Sequence, residues 1–154
     1  MMQVLASNWT DQLLIAVRVV IATAFGAAVG VERELSHKPA GLRTHALLAA
    51  AAALLIGLTD PLAAHFAAKS LPAVLRVDPT RVVEAIVTGV AFLGAGTIFR
   101  HTGADIIEGL TTAASLLLVA AIAIAVALGQ LLLAFVVTLL TLVLLRVLQR
   151  FEKK

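Results

Sequence analysis

The stretch Phe25-Gly26-Ala27-Ala28-Val29-Gly30-Val31-Glu32-Arg33, followed after a short polar turn by Gly41-Leu42-Arg43-Thr44-His45-Ala46, decides the fold, because the chain repeats it in outline. Phe92-Leu93-Gly94-Ala95-Gly96-Thr97-Ile98-Phe99-Arg100 closes a later apolar run, and Gly109-Leu110-Thr111-Thr112-Ala113-Ala114 opens the next. Each copy sets down a Gly-rich helix end, an Arg, a polar turn and a Gly-Leu-x-Thr start, in that order. Two such hairpins predict an internal repeat, an arrangement by which small membrane proteins build a pseudo-symmetric site between halves.

Composition points the same way. Hydrophobic residues make up 61% of the 154 and charged ones 14%, where a soluble domain carries roughly 25% charged residues. There is room for one domain. The absence of cysteine excludes disulfides, thiolate metal sites and Cys nucleophiles. With 5% aromatics and no Tyr there is no stacking platform for nucleic acid. No Lys or Arg precedes the first apolar run and Arg18 interrupts it, which reads as a retained transmembrane helix rather than a signal peptide. The predicted class is an all-α, polytopic integral membrane protein in contact with the lipid bilayer.

Five apolar stretches approach the ~20 residues that cross a bilayer: about 13–31, 42–58, 82–99, 110–128 and 131–147. Only Gly129-Gln130 divides the last two. One continuous helix there would run roughly 57 Å, so a tight reversal is the better reading. Asp60-Pro61 and Asp78-Pro79 read as N-cap followed by proline at the first helical position, and Lys38-Pro39 as a start without the good cap. Asp105-Ile-Ile-Glu108 has capping-box spacing. The segment 61–71 is too short to span and is expected as a helix on the membrane surface, with 70–78 a connector.

Lys and Arg set the orientation. Arg33, Lys38, Arg43, Arg100, Arg146, Arg150, Lys153 and Lys154 fall on one side, against Lys69, Arg76 and Arg81 on the other. The polar turns and the tail are therefore expected in the cytoplasm and the N-terminus outside. The two hairpins are then parallel copies, with a fifth helix added.

Charges at membrane depth are costly and tend to pair. Arg18 and Glu84 both lie near the external end of their spans, and read either as a membrane-embedded pair or as two side chains that snorkel separately to the interface. In the cytoplasmic turns Glu32, Arg33, Glu34, Arg43, His45, Arg100, Asp105 and Glu108 form a polar cluster, with His37 nearby. Its carboxylates are where Mg²⁺ would bind, since hard cations want oxygen ligands; the competing reading is structural ion pairing and capping. His37 and His45 lack a third ligand at zinc spacing. Gly94, Gly96, Gly109, Thr111, Thr112 and Ser115, with Gly26 and Gly30, read as close helix packing or as a locally unwound helix lining a site. Ser7, Ser36, Ser70 and Ser115 have no His–acid partner at recognisable spacing, and Gly89-x4-Gly94 lacks the lysine of a phosphate-binding loop. No cofactor other than Mg²⁺ is implied, and the chain reads as a non-enzyme.

Gly30-Val-Glu-Arg-Glu34, Lys38-Pro-Ala-Gly-Leu-Arg-Thr-His45, Asp78-Pro-Thr-Arg81, Phe92-Leu-Gly-Ala-Gly96 and Gly109-Leu-Thr-Thr-Ala-Ala-Ser115 resemble the signature of the MgtC/SapB family of bacterial inner-membrane proteins. The resemblance covers about 13–145 and marks Gly41, Thr44, Gly94, Gly96, Gly109, Thr111, Thr112 and Ser115 as family-motif positions. It implies a multi-pass inner-membrane protein linked to magnesium homeostasis, to growth in low Mg²⁺ and, in pathogens, to virulence. It further implies action by binding other membrane complexes, the proton-driven ATP synthase among them; the alternative is an oligomeric Mg²⁺ or small-solute transporter. The chain departs from the family at Ala85, where a Gln is usual beside Glu84, at Ala91 and near Ala123 and Ala127, where Gly is usual, and at Leu117, where Trp is usual. It also reads as a short form without the soluble C-terminal domain. Gly-rich faces on five helices favour a homo-oligomer, expected as a dimer.

Overall fold

A computed structural model describes residues 2–68, 78–100 and 107–152. The chain is an all-α polytopic membrane protein built from α1 (Met2–Leu35), α2 (Leu42–Gly57), α3 (Thr59–Ala68), α4 (Pro79–Ala95), α5 (Leu110–Ala127) and α6 (Leu131–Glu152). A two-residue antiparallel ladder, β1 (Phe99–Arg100) against β2 (Ile107–Glu108), joins α4 to α5. Three segments are long and apolar enough to cross a membrane: Trp9–Leu35, Leu42–His65 and Leu110–Ala127. With α4 and the shorter apolar helix Leu131–Val147, the five expected helices are present.

Their limits differ from the expected ones for local reasons. α1 runs to Leu35 rather than stopping at residue 31, carrying Glu32 and Arg33 inside the helix. It ends in a left-handed C-cap, with His37 at φ 53, Lys38 N–H donating to Arg33 O and His37 N–H to Glu34 O. α2 starts three residues after Pro39, with Gly41 as N-cap. Asp60 is not a cap: α3 begins at Thr59, and Leu58 alone separates it from α2. Pro61 has no N–H to give to Gly57, which interrupts the ladder, but Leu62 N–H still reaches Leu58 O and keeps the helices in step. The expected surface helix is therefore a continuation of α2 to Ala68; residues 69–71 and the connector lie outside the described residues.

Asp78 caps α4 as expected, its side chain accepting from Thr80 N–H with Pro79 at the first helical position. The helix stops at Ala95, short of the predicted 99, because the Gly-Ala-Gly end gives way to β1. Glu108 belongs to β2 and pairs with Phe99, so it cannot serve as a capping-box residue for α5. Gly109 takes the N-cap at φ 94, where a Cβ would overlap Thr97 O. Asp105 lies outside the described residues. Between α5 and α6 the tight reversal is formed by Gly129 at φ 80, with Gly129 N–H donating to Val126 O and Gln130 N–H to Ala125 O.

α5 is the centre of the molecule. It packs against α1, α2, α4 and α6, and it contributes Leu116, Val119, Ala120, Ile122, Ala123 and Val126 to the core. Outside α5 most of the core is small: Ala22, Ala40, Ala49, Ala52, Ala53 and Ala134 are buried, with Val29, Ile86 and Val90 the larger members. Small residues are what helix contact in a membrane needs, since lipid is as apolar as leucine and close packing supplies the attraction. The large residues point the other way, with Phe92 81%, Leu132 77% and Leu47 71% exposed. Such a surface suits acyl chains.

Candidate functional site

The first hairpin is held by backbone contact. A Cβ on Gly26 would lie 2.6 Å from both Ala49 Cβ and His45 O, and one on Gly30 would lie 2.7 Å from Leu42 Cα. Only hydrogen fits at either place, so α1 and α2 meet along Gly26-x3-Gly30. The packing reading of these glycines holds, and both stay inside an unbroken helix.

At the turn, Glu34 does what Gly41 cannot. Gly41 offers α2 no side-chain cap, and Glu34 Oε2 accepts from Leu42 N–H at 2.8 Å instead. A carboxylate at a helix N-terminus also complements the partial positive charge there. A Cβ at Gly41 would stand 2.8 Å from that same oxygen, so the glycine makes room for the cap supplied by the preceding helix.

In the same last turn of α1, Arg33 is 1% exposed and Glu32 4%. Arg33 Nε donates to Glu32 Oε2 at 2.6 Å and an Nη to Oε1 at 2.9 Å, while the Ser36 hydroxyl donates to Oε1 at 3.0 Å. A buried charge is tolerated only when paired and hydrogen-bonded, and both oxygens of Glu32 are in use. Arg146 of α6 adds its charge to the surroundings of Glu32.

The link between the two hairpins is His45. The ring is 0% exposed, with Nδ1 2.9 Å from Gly41 O and Nε2 3.0 Å from Ser115 Oγ. Ser115 Oγ is also 2.8 Å from Thr112 O. A carbonyl only accepts, so Nδ1 carries a proton toward Gly41. In the neutral ring Nε2 is then an acceptor, and the single Ser115 proton goes either to Nε2 or to Thr112 O. The first motif, Gly41 to His45, thus meets the second, Gly109 to Ser115, through a hydrogen bond 70 positions apart in sequence.

The second hairpin is joined by the β1–β2 ladder and held by a different glycine contact. A Cβ on Gly94 would lie 3.2 Å from Ala113 Cβ, bringing α4 onto α5. Thr112 and Ser115 are buried, whereas Thr44, Thr111, Gly96 and Arg43 are exposed. Glu108 is also exposed, and its backbone sits in the ladder that includes Arg100.

The expected Arg18–Glu84 pair does not form. Arg18 is half-buried and donates to Ala127 O at 2.8 Å, at the C-terminal end of α5 where cations are favoured; it also lies over Gly129. Glu84 is exposed on α4, which packs on α5 and α2 rather than on α1. The first helix and the α5–α6 turn use the cation that the sequence offered to Glu84. Sequence reasoning also missed Thr138 and Thr141, buried on α6 with hydroxyls donating to Ala134 O and Val137 O. Their spacing of three on one helix face was the available signal.

Among the described residues, no three acidic or histidine side chains converge as metal ligands. Glu32 is occupied by Arg33 and Ser36, and Glu34 by Leu42 N–H. Glu32 and Glu34, so engaged, do not fit a Mg²⁺ site.

The MgtC family profile matches residues 19–154. The chain is 38% identical over 109 residues to protein SapB of Bacillus subtilis, covering 70% of this chain and 44% of that one. It is 35% identical over 119 residues to the putative magnesium transporter YhiD of Escherichia coli K12, covering 74% and 51%. Protein MgtC of Brucella abortus strain 2308 is 37% identical over 99 residues, covering 64% and 36%. The chain spans about half the length of the first of the curated relatives it matches. No solved structure matches. The chain belongs to the MgtC family.

Proposed function

We propose that this MgtC-family protein serves magnesium-linked adaptation as a non-enzymatic, multi-pass protein of the bacterial inner membrane, acting by lateral contact with other membrane proteins. One observation carries this reading: the buried polar groups among the described residues are committed to partners within the fold. Arg18 is spent on Ala127 O, Glu32 on Arg33 and Ser36, and His45 on Ser115 and Gly41 O. Among the described residues no buried side-chain polar atom is without a partner. A path for a hydrated cation needs polar groups left over for the cargo. What the fold presents freely is its outer surface, where Phe92, Leu132 and Leu47 stand out from the helices. Self-association as a dimer would use the same kind of surface.

The test combines growth and capture. Deleting the gene is expected to impair growth in low-Mg²⁺ medium, and a photo-cross-linker placed at Phe92 or Leu132 is expected to join the protein to a distinct membrane protein. Unchanged growth together with no adduct would overturn the proposal. The name of the Escherichia coli relative favours a second reading, in which an oligomer carries Mg²⁺ as substrate; that reading requires flux across a reconstituted bilayer.

A further inference from the structure

α6 leaves α1 open toward one end of the molecule. The two helices meet through Phe25 and Phe135, whose ring centroids are 6.4 Å apart. Beyond that contact they enclose a groove of about 450 Å³. Its walls are Ala28 and Val31 on one side and Leu142 and Val143 on the other, and its end holds Glu32 and Arg146. The lining of α6 extends from Leu139 to Val147, roughly 12 Å of helix. That is close to the ~15 Å of one hydrocarbon leaflet. The groove is therefore somewhat shorter than one leaflet, is apolar along its walls and is charged at the end where α6 leaves the apolar zone.

The charge at that end has a sign. Glu32 is neutralised by its two bonds from Arg33, so the exposed Arg146 leaves the mouth positive. The sequence continues it with Arg150, Lys153 and Lys154 against Glu152 alone. By charge counting this end faces the cytoplasm, where the leaflet is rich in anionic lipid and basic pockets between helices hold lipid headgroups.

We propose that the α1–α6 groove binds one anionic phospholipid of the leaflet in which α6 ends, with an acyl chain along Ala28, Val31, Leu142 and Val143 and the phosphate on Arg146. A hydrophobic chain fills the groove by displacing nothing that is hydrogen-bonded, and the phosphate gives Arg146 a counter-charge. The proposal is independent of the regulatory role, because it rests on the groove and its charge alone.

The experiment uses the full chain, purified in neutral detergent, with dioleoyl phosphatidylglycerol and dioleoyl phosphatidylcholine as probes read by native mass spectrometry and thermal melting. Phosphatidylglycerol should remain bound at one per protomer and raise the melting temperature, while phosphatidylcholine should do neither. Arg146→Gln should weaken phosphatidylglycerol binding about fivefold, and Arg146→Lys should restore most of it. Ala28→Phe, on an exposed position and so compatible with folding, should block the acyl chain and remove the lipid-dependent stabilisation. Equal retention of the two lipids, or phosphatidylglycerol binding unchanged in Arg146→Gln, would overturn the proposal. So would efficient cross-linking between copies through Val143→Cys in phosphatidylglycerol membranes, which would put a second chain in the groove.

Discussion

At the scale of single residues the fold depends on where a methyl group is forbidden. Gly26 faces Ala49 and the His45 carbonyl at distances that leave no space for a Cβ, while Gly89 has nothing within 4 Å. Gly26→Ala should therefore push α1 from α2 and cost about 1–3 kcal/mol. Gly89→Ala should leave stability unchanged or raise it by about 0.5–1 kcal/mol through helix propensity. Thermal melts of the two variants in one detergent check this, and equal melting temperatures would contradict it. The His45–Ser115 bond makes a second residue-scale prediction. Ser115→Ala leaves the buried Nε2 without its partner, at about 1–3 kcal/mol, and denaturation in mixed micelles should show the loss. The glycines were legible because Gly26-x3-Gly30 announces close packing whatever it packs against. The partners of His45 and Arg18 were not legible. Each lies across the fold, at Ser115 and Ala127, and spacing along the chain carries no information about which helix ends come together.

At the scale of elements, helix starts show what a local signal is worth. Asp78-Pro79 caps α4 as written, since nothing nearby competes for the carboxylate. The Thr80 hydroxyl and then the Thr80 N–H hold the Asp78 carboxyl below its ordinary value, outweighing the opposing effect of desolvation, and the charge of Arg81 adds the least. A lowered folded value means the cap stabilises above the unfolded carboxylate range and is lost as pH falls through the folded value. The gap in melting temperature between the parent protein and Asp78→Ala should accordingly be full at neutral pH and shrink in acid; a gap that did not change with pH would contradict the capping account. Elsewhere tertiary contacts overrode the local signal. Glu34 caps α2 from the preceding helix, so Gly41 rather than Lys38-Pro39 marks the start. Glu108 is drawn into the ladder with Phe99, leaving Gly109 to start α5. Hydropathy located the five helices because each buries or exposes apolar surface over many residues. It did not locate their ends, which are set by one or two hydrogen bonds.

At the scale of the whole molecule, the repeated hairpins meet through α5, and the polar layer between them acts as a lock. Glu32, Arg33 and Ser36 satisfy one another at the end of α1, and Gly41–His45–Ser115 joins the halves, while the surroundings are alanine-rich and closely packed. The doubled motif was visible in the sequence, as was the difference between its charged first copy and its hydroxyl-rich second. Its purpose was not, because a cluster of acids and bases reads alike whether it awaits an ion or satisfies itself. We propose that this polar layer stabilises the fold and that function lies on the outer helix faces. Mg²⁺ entry into proteoliposomes carrying an internal Mg²⁺-sensitive dye tests it most directly. Entry should be no faster than into protein-free liposomes, for the parent protein and for Glu84→Gln alike; entry well above that background would overturn this placement of function.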